Sequence, residues 1–140
     1  MIIFPNTIKN ILVTGGSGFI GGSLIRRLLN ETTLKVFNLD KIGYASNLDG
    51  FINQSGKISN HSNRYQLLNI NLADKEQTYN AIKTISPDIV FHLAAESHVD
   101  KSISGPTVFM ESNITGTFNL LEALRNHWEC LPSIRKENFL

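Results

Sequence analysis

Apolar residues follow one another along this chain in two rhythms. Short runs such as Ile11-Leu-Val13, Val36-Phe-Asn-Leu39 and Ile89-Val-Phe91 alternate with stretches in which apolar positions recur every three or four residues. The first rhythm belongs to strands covered on both faces, the second to helices with one buried stripe. Read in order, the pattern predicts a strand at Asn10–Thr14 and a helix from 20 to about 30, carried by Ile20, Leu24, Ile25 and Leu28. A second strand at 34–39 ends at Asp40, and a polar stretch at 41–64 follows, with a helical turn at 47–51 and a loop at 56–63. A third strand falls at 65–69. Asp74, with Gln77 three positions on, caps a helix that Pro87 ends after Ile85. A fourth strand at 89–93 and a long helix from about 107 to 128 complete the pattern. Such alternation gives an α/β fold with a doubly wound, Rossmann-like parallel sheet. Right-handed crossovers put the strands in the order 3-2-1-4, and the chain stops where a fifth strand would begin.

Open sheets of this kind bind ligands at the carboxyl ends of the strands, where the strand order reverses. That crevice lies between the ends of strands one and four, and both ends carry unusual residues. After strand one comes Gly15-Gly-Ser-Gly-Phe-Ile-Gly21. Gly15 supplies a tight turn, Gly18 a close approach of backbone to a pyrophosphate, and Gly21 close packing of helix on strand. Phosphate oxygens are favoured at the helix N-terminus by free N–H groups and by the helix dipole. Three glycines by themselves are a weak signal, which a plain Gly-rich turn also explains. The strand-turn-helix context, and Asp40 placed 19 residues after Gly21 to meet a ribose 2′-hydroxyl, point instead to a dinucleotide. An acid there repels a 2′-phosphate, so the expected cofactor is NAD and not NADP. After strand four comes Leu93-Ala-Ala-Glu-Ser-His98, where two alanines let a ligand approach the backbone beside Glu96 and Ser97.

With 140 residues the chain has room for one core and hardly for two, so residues 1–140 are expected to form a single dinucleotide-binding unit. A formal charge of +1 offers no electrostatic reason for a nucleic-acid partner. No apolar run approaches the length of a membrane helix, and the first residues do not read as a signal peptide, so a cytoplasmic location is expected. Cys130 is the single cysteine, and Tyr44, Asp49 and His61 show no metal-ligand spacing; no metal is expected.

The motif Thr14-Gly-Gly-Ser-Gly-Phe-Ile-Gly21 resembles the nucleotide motif of the extended short-chain dehydrogenase/reductase family. Leu39-Asp-Lys-Ile-Gly-Tyr-Ala-Ser-Asn47, His92 to Ile103 and Glu111-Ser-Asn-Ile-Thr-Gly-Thr117 are similar, within that family, to the dTDP-glucose 4,6-dehydratases. The resemblance covers the chain from Ile11 to Arg125. It implies a lyase of deoxysugar and rhamnose biosynthesis that binds NAD, oxidises dTDP-glucose at C4, eliminates water across C5 and C6, and returns the hydride to C6. It also implies that a full-length member is a homo-oligomer, a dimer. Carried over residue by residue, it puts Phe19 and Ile20 with the glycines along the pyrophosphate. Asp40, Lys41, Ile42 and Gly43 then surround the adenosine ribose, and Asn71 and Leu72 meet the adenine. Leu93, Ala94, Ala95, Glu96 and Ser97 line the nicotinamide side, and Ser97 also touches the substrate. Asn71 stands where the family usually has Asp, and Ser112 where it usually has Thr.

In that family the fifth strand ends in Thr-Asp-Glu and the next helix carries Tyr-x-x-x-Lys. Both are expected beyond Leu140, together with the sugar-nucleotide-binding domain, so no catalytic residue is expected within this chain and no turnover by it alone. Tyr79-Asn-Ala-Ile-Lys83 matches the spacing by chance, because Tyr79 shares an apolar stripe with Ile82 and Ile85 on a crossover helix. His92, inside an apolar strand, reads as a hydrogen-bonded core histidine, and Asn113 as a brace for strand-end backbone. His98 fits either a sugar-nucleotide contact or a loop residue that orients Asp100. Two other functions stay open: a catalytically inert nucleotide-binding fragment, and an NAD-dependent nucleotide-sugar epimerase or decarboxylase of the same family.

Overall fold

The structure, a computed structural model, describes residues 4–43 and 63–140. Tyr44, Asp49, His61, the turn expected at 47–51 and nearly all of the loop at 56–63 lie outside the described residues. Four strands, β1 (Asn10–Thr14), β2 (Lys35–Asp40), β3 (Tyr65–Asn69) and β4 (Ile89–His92), form one sheet in the order β3-β2-β1-β4. All pairings are parallel, with Thr14 opposite both Leu39 and His92, and Asp40 opposite Asn69. Helix α1 (Phe19–Glu31) is the crossover from β1 to β2, and α2 (Lys75–Ile85) the crossover from β3 to β4.

Side chains alternate across the sheet and so build two cores. Ile11, Val13, Val36 and Ile89 meet Ile25, Leu28 and Leu29 of α1 on one face. Leu12 and Leu39 meet Ile82, Ile85, Leu120 and Leu124 on the other. Burying a side chain of this size contributes about 1.5–3 kcal/mol, which makes these stripes the main determinant of where the helices dock. Asp74 caps α2 as expected, its Oδ1 accepting from Gln77 N–H at 3.0 Å. The Gln77 side chain, however, donates to Asp74 Oδ2 at 2.7 Å and does not reach back to the Asp74 backbone. Ser86 then closes the helix in a left-handed conformation (φ 48°).

The long helix expected after strand four is interrupted. It runs as α4 (Pro106–Phe109), a π-helical segment at Met110–Gly116, and α5 (Thr117–Glu129), with a short α3 (Val99–Ser104) before it that the polar sequence did not announce. The outer edge of β4 is partly covered by the end of the chain. After α6 (Ser133–Lys136), Leu140 N–H donates to Asp88 O at 3.2 Å and Leu140 O accepts from Val90 N–H at 2.7 Å, the pattern of a parallel strand pairing at Ile89. Arg135 anchors this return on Asp88, whose Oδ2 accepts the N–H groups of Lys9 and Asn10 at 2.8 and 3.0 Å.

Candidate functional site

The turn after β1 is built so that only glycine fits. Gly15 has φ +68°, and a Cβ there would stand 2.6 Å from Ala94 N at the end of β4. Strain and collision both exclude a larger residue. Gly18 is the N-cap of α1 and makes no side-chain cap, so the first N–H groups of the helix keep their hydrogen-bonding capacity. A Cβ on Gly21 would lie 2.3 Å from Gly15 O, so the missing side chain is what lets α1 press on the turn. Phe19 and Ile20 are 92% and 69% exposed, and neither side chain is on the cleft wall. What they can offer a ligand is backbone N–H.

A buried polar group supports the turn from below. Asn38, fully buried in β2, donates from Nδ2 to Ser17 Oγ and to the Tyr65 hydroxyl, both at 3.1 Å. Its Oδ1 finds no hydrogen-bond donor among the described residues and faces Gly16, whose Cβ would stand 2.3 Å away. Burial pushes the Tyr65 phenol above its ordinary pKa. Asp40 completes the support: Oδ2 accepts from Ser17 N–H at 3.0 Å and Oδ1 from Ile42 N–H at 2.8 Å. Ile42 takes φ 45°, a left-handed conformation unusual for a β-branched residue.

A cavity of about 180 Å³ opens between the ends of β1, β2 and β4. Gly15, Gly18, Asp40, Lys41, Gly43, Asn71, Leu72, Ser112 and the stretch 93–97 all line it. Of the site residues named from sequence, Phe19, Ile20, Gly21 and Ile42 do not; Leu39 and Ile70 are additions, and His98, left open from the sequence, is also on the wall. Lys41 reaches from the end of β2 across the cleft, its Nζ 2.6 Å from Glu96 Oε1 and 2.8 Å from Ser112 Oγ. Asn113 holds the Glu96 backbone from both sides, accepting from Glu96 N–H at 2.8 Å and donating to Glu96 O at 2.9 Å. Ser112 and Asn113 both lie in the π-helical segment, the first bonded to Lys41 and the second to the loop. Asn113 is thus the brace that the sequence pointed to.

Deeper in the site, Thr14 Oγ1 and Thr117 Oγ1 lie 2.7 and 3.0 Å from the two ring nitrogens of His92. Both polar atoms of the ring are satisfied, and burial lowers its pKa. It is a structural histidine, as expected. Asn71 Oδ1 already accepts from Ala73 N–H at 3.0 Å, forming a local turn. Leu72 is 6% exposed and belongs to the core as much as to the cleft. Tyr79 is a correction. The buried stripe of α2 is Thr78, Ala81, Ile82 and Ile85, while Tyr79 is 45% exposed and lines no part of the cleft. Its distance from the site stands, but not its place in the core. Asn38 was missed; a lone amide inside Val36-Phe-Asn-Leu39 was the available signal.

A family model described as GDP-mannose 4,6 dehydratase matches residues 12–136. The dTDP-glucose 4,6-dehydratase of Salmonella typhimurium is 43% identical over 129 residues, which are 92% of this chain and 34% of that protein. Among solved structures, the dTDP-glucose 4,6-dehydratase of Streptomyces venezuelae with NAD bound superposes with a TM-score of 0.73 at 32% identity, over 84% of this chain and 36% of that one. The UDP-glucose 4-epimerase of Thermus thermophilus in complex with NAD gives 0.70 at 31% identity, over 84% and 34%. The chain spans about a third of the length of the curated relatives it matches. With the strand order, the glycine turn and this match in agreement, the chain belongs to the GDP-mannose 4,6 dehydratase family.

Proposed function

We propose that residues 1–140 are the NAD-binding part of a dTDP-glucose 4,6-dehydratase. The sugar-nucleotide-binding part corresponds to the length of the relatives that this chain does not match. The observation that carries the reading is the floor of the cleft: Gly15 and Gly18 leave it open beside the uncapped N-terminus of α1, with Asp40 at the end of β2. These residues fit a dinucleotide. Each Asp40 oxygen accepts one backbone N–H, which fixes the carboxylate and leaves lone pairs for ribose hydroxyls. The N–H groups of α1, Phe19 and Ile20 included, would hold the pyrophosphate. Asp40, Lys41, Ile42 and Gly43 would bound the adenosine ribose, and Asn71 and Leu72 the adenine. Leu93, Ala94, Ala95, Glu96, Ser97 and Ser112 would flank the nicotinamide, with Ser97 reaching the sugar. NAD, when bound, supplies the acceptor and donor of the hydride exchanged with the sugar.

Among the described residues the cleft wall offers no tyrosine as a base for a sugar hydroxyl, since Tyr79 and Lys83 stand on the solvent side of α2. That favours a second reading for the 140-residue chain acting alone, a nucleotide-binding module without turnover. The first reading takes dTDP-glucose as the substrate, the cytoplasm as the compartment and a homodimer as the working form. Exposed Met110, Ile114, Phe118 and Leu121, spaced along one helical face, support self-association. No helix among the described residues is long and apolar enough to cross a membrane.

Calorimetric titration of the chain with NAD and with NADP tests the proposal. NAD should bind and NADP much more weakly, and Asp40→Ala should loosen NAD and narrow the gap. Failure of the folded chain to bind NAD sinks the reading. With NAD and dTDP-glucose together, no 4-keto product should form; turnover that vanishes in Tyr79→Phe would restore Tyr79 as a catalytic residue.

A further inference from the structure

Lys41 is the only lysine or arginine on the cleft wall among the described residues, and it directly follows Asp40. A cation in that position matters for cofactor choice. Asp40 repels a 2′-phosphate, but a free ammonium beside it would make the end of β2 locally neutral and provide a counter-ion for that phosphate. In the structure the ammonium is not at that end. It crosses the cleft to Glu96 Oε1 at 2.6 Å and Ser112 Oγ at 2.8 Å, on the side of β4. The Glu96 side chain is only 14% exposed and that of Lys41 37%, so the pair is partly shielded from solvent. The carboxylate cannot easily let go by moving away, because Asn113 pins the Glu96 backbone through both its N–H and its C=O.

We propose that Glu96 is a specificity-determining residue for the dinucleotide: by holding the Lys41 ammonium on the β4 side, it withdraws the one lysine or arginine of the described cleft wall, the cation that could pair with a 2′-phosphate. Discrimination against NADP is then shared by two carboxylates. Asp40 repels the phosphate directly, and Glu96 removes its counter-ion. Asp40, Lys41 and Glu96 together carry one net negative formal charge on the described cleft wall; neutralising Glu96 removes that excess and frees Lys41 at once. Ser112 contributes as the second acceptor that fixes the direction of the lysine chain. Asn113 is a positioning residue that acts through Glu96.

The inference rests on the dinucleotide-binding reading and is tested so that the two can fail separately. NAD and NADP affinities are measured by titration for the wild-type chain, Glu96→Gln, Glu96→Ala and the double variant Glu96→Gln/Lys41→Met, with melting curves to confirm folding. Either single variant should lower the ratio of the NADP to the NAD dissociation constant by about tenfold, mainly by tightening NADP. Should one variant fail to fold, the other carries the test. The double variant should return the ratio to the wild-type value, because the freed ammonium is gone. A wild-type chain that binds NAD, with a ratio unmoved in the folded Glu96 variants or equally lowered in the double variant, overturns the proposal alone. A wild-type chain that binds neither dinucleotide overturns the reading beneath it.

Discussion

Replacing Asn113 by leucine removes the side chain that bonds both the N–H and the C=O of Glu96. Two hydrogen bonds go, at 2.8 and 2.9 Å, and both involve partly buried groups. Each is worth about 0.5–1.5 kcal/mol net, and a backbone group left unsatisfied in a part-buried place costs about 1–3 kcal/mol. Solvent reaches this rim, so the lower half of that range applies and the expected loss is about 2 kcal/mol. For a chain of this size that corresponds to a fall in Tm of roughly 6–10 °C. Urea denaturation followed by circular dichroism gives the free energy, and the m-value should not change. Asn113→Asp separates the two bonds, since it keeps an acceptor for Glu96 N–H and loses the donor to Glu96 O. It should fall between wild type and Asn113→Leu. A loss below about 0.5 kcal/mol for Asn113→Leu, the scale of an ordinary surface change, would refute the assignment of Asn113 as a brace.

Gly15→Ala should abolish dinucleotide binding and cost more than the roughly 1–2 kcal/mol of a left-handed alanine, because its Cβ would meet Ala94 N at 2.6 Å; a melting curve close to wild type would contradict this. Asp88→Ala should cost about 3 kcal/mol in denaturant titration, since it strips the acceptor from Lys9 and Asn10 and takes from Arg135 its carboxylate, leaving it, among the described residues, only Ser86. Burial lowers the His92 pKa in the folded chain, so the unfolded chain binds the extra proton first as pH falls. The stability this contributes is complete above the ordinary histidine pKa of about 6.5 and is lost as pH falls from there toward the folded value. Chemical denaturation from pH 8 to 5 should show that loss, and His92→Gln should flatten it over the upper part of the range.

The strands and the first two helices were legible because their causes are local. Ile11, Val13, Val36 and Ile89 are apolar in runs, and α1 repeats its buried positions at 25, 28 and 29. The π-helical segment was not legible. Nothing in Met110-Glu-Ser-Asn-Ile-Thr-Gly116 distinguishes a wider helical turn from an ordinary one. Its cause is tertiary: Gly116 packs where a Cβ would stand 3.0 Å from Leu72 Cβ, while Asn119 donates to Leu72 O and Ala73 O. Tyr79 failed for a related reason. A helical stripe three or four residues apart could include it, but the width of the buried face was set by the sheet and by α5, and Thr78 took the inward place.

The site divides along the same line. A glycine that must adopt φ +68°, or approach a carbonyl closely, declares itself in the sequence, because one residue type meets the demand. An acid at the end of a strand does so nearly as well. Contacts between side chains from separate elements leave no such mark: Lys41 and Glu96 are 55 positions apart, and Lys41 and Ser112 are 71 apart. Each of the three residues was singled out from the sequence and lines the cleft, yet nothing in their order along the chain says that they touch. The distinction has a physical consequence. Residues that bind through backbone geometry fix where a dinucleotide lies, and they tolerate almost no substitution. In the proposed site, the charged side chains that meet across the cleft would set which dinucleotide is preferred.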